Sequence, residues 1–125
     1  MIIKLFLALV GLLYGVLAIY CSVNSAKASR TVHLTMDGPG GRSEFMTVYG
    51  GLEFAIALLF LLPLAYPQYL RAGLLSCLII HACLVAFRTL SFVLDSRAFA
   101  ETRSLAIGEW VIFLLSVVMV FVIKK

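Results

Sequence analysis

The sequence predicts an all-α membrane protein, an antiparallel bundle of four transmembrane helices. The chain has 125 residues, of which 63% are hydrophobic and 13% are charged. A helix that crosses a bilayer needs about 20 mostly apolar residues, so the apolar content is enough for about four spans. The charged share is about half of that in an ordinary soluble domain. This composition excludes a soluble enzyme, a disordered tail, a disulfide-rich secreted module and a nucleic-acid-binding domain.

Four apolar runs, separated by polar or proline-containing segments, form one predicted membrane domain over residues 1–125. We place the spans at about residues 5–23, 45–66, 69–94 and 104–123. The first connection, 24–44, contains the sequence Asp-Gly-Pro-Gly-Gly, and glycine and proline at that density indicate a loop. Pro67 ends the second run. Residues 95–103 form a short charged connection, and Ser104 is the predicted N-cap of the fourth helix.

Each run is expected to be a helix because lipid offers no hydrogen-bond partner for an unpaired backbone. Short or moderate connections between four helices produce an antiparallel bundle. Residues 1–28 also resemble a signal peptide, since Ala26-Lys27-Ala28 matches the pattern of a cleavage site. However, the first run of about 19 residues is longer than the usual apolar region of about 7–15 residues. We therefore expect the first span to be retained.

The distribution of cations predicts the orientation. Four spans place both termini on one side, and the short segments of that side carry cations without an acid: Lys4, Arg71, Lys124 and Lys125. The cations of the opposite side are spread over the longer loops. Because cationic segments close to the spans stay in the cytoplasm, we predict cytoplasmic termini and an outward-facing loop 24–44.

Three charged residues lie inside the predicted spans: Glu53, Arg88 and Glu109. From the helical rise, they lie about 12, 9 and 8 Å from the loop-side ends of their spans, which places all three at one level. A charge inside a span costs at least about 2.5–3.5 kcal/mol, so it usually pairs or lines a wet cavity. We predict that Arg88 holds both carboxylates. The surplus negative charge of this cluster would suit a proton or a cation.

Two further polar residues belong to the predicted site. Tyr49 lies four residues before Glu53 on the same helical face, either as a donor to the carboxylate or as an interfacial aromatic, and we favour the second interpretation. His81 falls near the middle of the membrane, on a polar stripe with Cys77 and Arg88. We favour a neutral histidine that is hydrogen-bonded within the bundle over a ligand-binding group or a proton relay.

No motif predicts a metal, a cofactor or a catalytic residue. Cys77 and His81 would supply two metal ligands, whereas zinc usually takes three or four. The sequence lacks the C-x-x-C pair of a thiol–disulfide oxidoreductase, and it lacks the P-loop, zinc-protease and nucleophile-elbow motifs. The expected partners are membrane lipids and either further copies of the chain or a larger membrane complex, with no nucleic acid.

Small residues predict where helices approach each other closely. Gly11 and Gly15 form a G-x-x-x-G motif in the first run, which favours close helix packing. We expect this motif to pack inside the bundle rather than in a dimer. Gly50 and Gly51 similarly provide a thin surface for a neighbouring helix.

The positions of these residues resemble those of a known group. Tyr49-Gly50-Gly51-Leu52-Glu53 opens the second helix, Arg71-Ala72-Gly73-Leu74 opens the third, Arg88 lies late in the third, and Glu109 lies early in the fourth. This pattern resembles small uncharacterised bacterial four-helix membrane proteins that are loosely DoxX-like. The resemblance covers nearly the whole chain and implies a four-helix fold in the bacterial inner membrane. It implies no activity.

Three functions are compatible with the sequence. The favoured one is an accessory or structural membrane subunit whose Glu-Arg-Glu cluster fixes the bundle. The alternative is the binding or transport of a small polar or amphiphilic ligand, or of a proton, at that cluster. The third is an enzyme that acts on a lipid or a quinone, with Glu53 or Glu109 as its acid or base.

Overall fold

The computed structural model describes residues 1–123 as a bundle of helices without a strand in that range. The elements are α1 (Ile2–Val23), α2 (Ser25–Thr31), α3 (Gly38–Phe45), a π-helical segment (Met46–Leu52), α4 (Glu53–Ala65), a 3₁₀ turn (Pro67–Tyr69), α5 (Leu70–Leu94) and α6 (Arg97–Ile123). Four stretches are long and apolar enough to cross a membrane: Ile2–Val23, Gly38–Ala65, Pro67–Leu94 and Arg97–Ile123. The predicted fold class is therefore confirmed. Lys124 and Lys125, which contribute to the predicted orientation, lie outside the described residues.

The connections contain more helix than the sequence predicted. The segment 24–44 includes the two short helices α2 and α3, and the proline after Gly38 is tolerated because it lies in the first turn of α3. The fourth helix begins at Arg97, so Ser104 is not its N-cap. Its first turn is supported by Asp95, whose Oδ1 accepts a hydrogen bond from the backbone N–H of Arg97 at 3.0 Å. A capped polar turn thus extends the helix beyond its apolar part.

Small residues allow α1 and α4 to pack closely. A Cβ atom at Gly11 would lie 2.8 Å from Leu61 Cγ, and one at Gly15 would lie 3.8 Å from Ala57 Cβ. The G-x-x-x-G motif therefore packs inside the bundle, as predicted. The closest span pairs are α1 with α4 and α5 with α6, and the apolar core between them includes Leu7, Phe60 and Leu74.

A π-helical segment leads into α4 at the loop-side end of the second span. A Cβ atom at Gly50 would overlap Ser22 Oγ on α1, whereas one at Gly51 would have no neighbour within 4 Å. Only glycine therefore fits at the first of these positions while the Ser22 hydroxyl keeps its hydrogen bond to the Ala18 carbonyl oxygen. The i→i+5 hydrogen bonds of a π-helix widen each turn, so residues four apart in this segment no longer lie one above the other.

Candidate functional site: the intramembrane charges

Arg88 and Glu109 form an ion pair between α5 and α6. Arg88 Nε donates to Glu109 Oε2 at 3.0 Å, and Arg88 Nη2 donates to Glu109 Oε1 at 2.6 Å. The side chains retain 26% and 15% of their accessible surface, so the pair is mostly enclosed by protein. Two parallel charge-assisted bonds fix both the distance and the orientation of the guanidinium and carboxylate planes. The pair therefore neutralises both charges and ties the two helices together.

Glu53 lies outside this pair, so the prediction that Arg88 holds both carboxylates is wrong. Among residues 1–123, the hydrogen bonds of the Arg88 guanidinium run to Glu109 alone. Glu53 Oε2 is buried and has no hydrogen-bond partner. The physical reason is the pairing of the helices, since α5 packs mainly against α6 while α4 packs mainly against α1.

The axial positions of the charges follow from two contacts. Ala57 on α4 packs against Gly15 on α1, the residue that follows Tyr14. The Tyr14 hydroxyl in turn contacts His81 on α5. Glu53 lies four residues from Ala57, which is about 6 Å closer to the segment 24–44. Arg88 lies seven residues from His81, which is about 10 Å closer to the same segment. The two charges thus differ by only a few ångströms in depth. They lie at a similar depth in the bundle but are not hydrogen-bonded to each other.

Tyr49 belongs to an apolar contact. Its ring stacks on Phe45 with a centroid distance of 4.6 Å and an interplanar angle of 18°. It is half-buried against a small cluster that includes Cys21 and Ala28. Since Glu53 Oε2 has no partner, Tyr49 does not donate to that oxygen.

His81 lies at the centre of a hydrogen-bonded chain in the bundle. It is fully buried, and its Nδ1 lies 2.8 Å from the carbonyl oxygen of Cys77, which can only accept. Nδ1–H must therefore donate to that carbonyl. In the neutral ring, Nε2 then accepts from the Tyr14 hydroxyl at 3.2 Å. The rings of Tyr14 and Phe60 pack around the imidazole, so that both of its nitrogens have partners without solvent.

Cys77 extends the contact to α6. The Ser116 hydroxyl donates to the carbonyl oxygen of Ile112 at 2.7 Å. Because this hydroxyl has a single proton, its contact of 3.3 Å with Cys77 Sγ makes the thiol the donor. Both side chains are fully buried. Cys77 and His81 together therefore connect α5 to α6 and to α1.

Tyr14 and Ser116 were not among the predicted site residues. Tyr14 lies within the G-x-x-x-G motif, and Ser116 lies seven residues after Glu109, on the same face of α6. A hydroxyl in the middle of an apolar run is the signal that would have identified each of them. A serine or tyrosine is common enough in membrane helices that the signal remains weak without the structure.

The described residues form no metal centre, and the three most prominent clefts lie away from the charges. Within residues 1–123, no group of three or more His, Cys, Asp or Glu side chains is arranged to hold a metal ion. Three clefts of about 420, 480 and 410 Å³ lie on the surface of the described chain. None of these three is lined by Glu53, Arg88 or Glu109. The nearest along the sequence lies between α1 and the π-helical segment and includes Gly50 and Phe54.

Comparison with known proteins adds no relative. No protein-family model, curated protein or solved structure matches the chain. The DoxX-like resemblance therefore remains a prediction that rests on the residues quoted for it. The fold and the polar contacts described above are the basis of the functional proposal.

Proposed function

We propose that the protein is an accessory or structural subunit of a membrane assembly, and that its polar interior fixes the arrangement of its helices. The Arg88–Glu109 pair carries this proposal, because it closes on itself with two hydrogen bonds across α5 and α6. Lipid offers no alternative partner for these groups, so the contact specifies which helix faces are adjacent. The contacts of Tyr14 with His81 and of Cys77 with Ser116 support the same role.

The proposal includes the location and the partners. The four apolar spans support a multi-pass protein, which we assign to the inner membrane with both termini in the cytoplasm. The outer faces of the helices carry many exposed apolar side chains, which suits contact with lipid and with neighbouring membrane helices. A homo-oligomer or a larger membrane complex would cover part of these faces.

A second function is favoured by one observation, the buried Glu53 Oε2 without a hydrogen-bond partner. Polar atoms buried in a membrane protein are normally paired, and an intramembrane carboxyl without a partner is a candidate binding group. Its position directly after the π-helical segment points the same way, since such segments are frequent at functional sites. The ligand would be a proton or a small molecule with a cationic or hydrogen-bond-donating group.

One set of variants separates the two functions. Glu109→Gln and Ser116→Ala weaken the interior contacts, Glu53→Gln removes the unpaired carboxyl, and Glu44→Gln is a control on the exposed face of α3. For each variant, the free energy of unfolding is measured by titration with SDS in mixed micelles. Function is measured as the ability to restore growth of a deletion strain across a range of pH and salt conditions.

A structural subunit requires that the loss of function follows the loss of stability across this set. Glu53→Gln should then restore growth as well as Glu44→Gln does, provided that its stability is unchanged. If Glu53→Gln has the stability of the wild type but does not restore growth, the structural proposal fails. That result would favour binding at Glu53.

A further inference from the structure

A cleft at the opposite end of the bundle from the three charges combines one cation with apolar walls. It has a volume of about 480 Å³ and lies between the start of α5 and the end of α6. Its lining residues are Arg71, Leu74, Leu75, Val120 and Ile123. Among the described residues, the cleft therefore has one cation above an apolar floor, which is complementary to a molecule with one anionic group and a hydrocarbon part.

The position of Arg71 matches the headgroup region of a bilayer. It is exposed in the first turn of α5. The turn before it carries two exposed tyrosines, Tyr66 and Tyr69, whose rings form an edge-to-face pair with centroids 6.4 Å apart. Tyrosine is enriched where a membrane protein meets the lipid–water interface. Leu75 lies one turn further along the helix, about 6 Å deeper, so the cleft extends from the headgroups toward the acyl chains.

Within residues 1–123, the Arg71 guanidinium has no ion-pair partner. The ion pairs found within residues 1–123 join His33 to Glu101, Arg88 to Glu109 and Arg97 to Asp95. Arg71 takes part in none of these pairs. A guanidinium binds a phosphate group with two parallel hydrogen bonds, and its charge does not depend on pH in the physiological range. A headgroup with a phosphate monoanion and no cation of its own is therefore the match for Arg71.

We propose that this cleft binds one anionic phospholipid, with the phosphate on Arg71 and an acyl chain along Leu75 and Val120. The predicted orientation places this end of the bundle at the cytoplasmic side of the membrane. The site does not involve Glu53, Arg88 or Glu109. The lipid site shares only the predicted orientation with the function proposed above, so the structural role of the ion pair and the binding of a lipid can fail separately.

The test uses the full-length chain in nanodiscs of phosphatidylcholine that contain a minor share of phosphatidylglycerol. Native mass spectrometry after release from the nanodisc counts the lipid molecules that stay bound. We expect one phosphatidylglycerol to be retained in preference to phosphatidylcholine. Arg71→Gln should lower this preference about fivefold, the effect of one cation near an anionic surface. Val120→Trp should lower lipid retention by filling the cleft while leaving the cation in place.

Arg103→Gln is the matched control, because it removes an exposed cation from the other end of the bundle. It should retain phosphatidylglycerol as the wild type does. The proposal is overturned if Arg71→Gln and Arg103→Gln behave alike, or if the wild type retains both lipids equally. It is also overturned if millimolar inorganic phosphate displaces the lipid from the wild type, because the cleft would then recognise a free anion. Equal SDS unfolding midpoints of the two arginine variants will show that both are folded.

Discussion

Neutralising Glu109 should destabilise the bundle through Arg88. In Glu109→Gln, the two charge-assisted bonds of 3.0 and 2.6 Å are replaced by weaker contacts to an amide. Polar bonds between membrane helices contribute about 0.6 kcal/mol on average and about 1.7 kcal/mol at most. The loss of two bonds therefore costs between about 1.2 and about 3.4 kcal/mol. Because Arg88 retains 26% of its surface, part of the remaining charge can be solvated at the headgroups. We expect the free energy of unfolding to fall by about 1–3 kcal/mol.

A double-mutant cycle isolates the pair from other effects of the substitution. The set comprises Glu109→Gln, Arg88→Met and the double variant, with reversible unfolding in SDS as the assay. Removing both partners eliminates the unpaired charge, so the double variant should be more stable than the sum of the single losses by at least about 1 kcal/mol. For two independent sites, the loss in the double variant equals the sum of the two single losses within about 0.3–0.5 kcal/mol. A coupling energy below about 0.5 kcal/mol would refute the argument that the pair ties α5 to α6. Arg103→Gln, which removes an exposed cation, is the control and should change the free energy of unfolding by no more than about 0.5 kcal/mol.

Two further predictions concern glycine packing and a helix end. Relative to Gly51→Ala, Gly50→Ala should lower the free energy of unfolding by about 1 kcal/mol, because its methyl group displaces the Ser22 hydroxyl from its hydrogen bond to the Ala18 carbonyl oxygen. Gly51→Ala, which has open space, should not be destabilised in the same SDS titration, and equal losses would contradict the close approach. At the start of α6, the side chain and then the backbone N–H of Arg97 hold the pKa of Asp95 below its ordinary value. The ion pair therefore stabilises the folded state above that ordinary value and loses its effect as the pH falls through the lowered one. Arg97→Gln should raise the midpoint of Asp95 in an NMR titration toward about 3.9, and an unchanged midpoint would contradict the assignment.

The sequence was sufficient to predict four long apolar helices because lipid restricts the chain so strongly. A backbone in hydrocarbon must form its own hydrogen bonds, so each long apolar run becomes a helix. The short helices α2 and α3 are not subject to that restriction. They are polar, and α3 begins in the Gly-Pro-Gly-Gly sequence that indicates a loop. Their stability comes from contacts such as Phe45 packing near Cys21 and Ala28, which no local pattern shows.

The common depth of the three charges was predictable for a similar reason. The rise per residue is nearly constant in a helix, so counting residues gives the axial position of each charge. Counting does not give the direction in which a side chain points across the bundle. That direction depends on which helices pair, and the π-helical segment before Glu53 changes the angular relation between Tyr49 and the residues that follow. The sequence therefore indicated which charges lie at one level but not which carboxylate takes Arg88.

The division of the charges sharpens what Glu53 has to do. Because Arg88 and Glu109 cancel each other, the single negative charge that remains among the three belongs to Glu53. A neutral His81 does not compensate the charge of Glu53. Its two ring nitrogens are hydrogen-bonded to the Tyr14 hydroxyl and to a backbone carbonyl oxygen. An ionised carboxylate without a partner is costly in lipid. Glu53 must therefore hold a proton, reach water at the loop-side surface, or meet a cation from another molecule. In each case the Glu53 carboxyl exchanges a proton, water or a cation at the same depth as the fixed Arg88–Glu109 pair. Glu53→Gln therefore separates a structural role from a binding role more sharply than any change at Arg88 or Glu109.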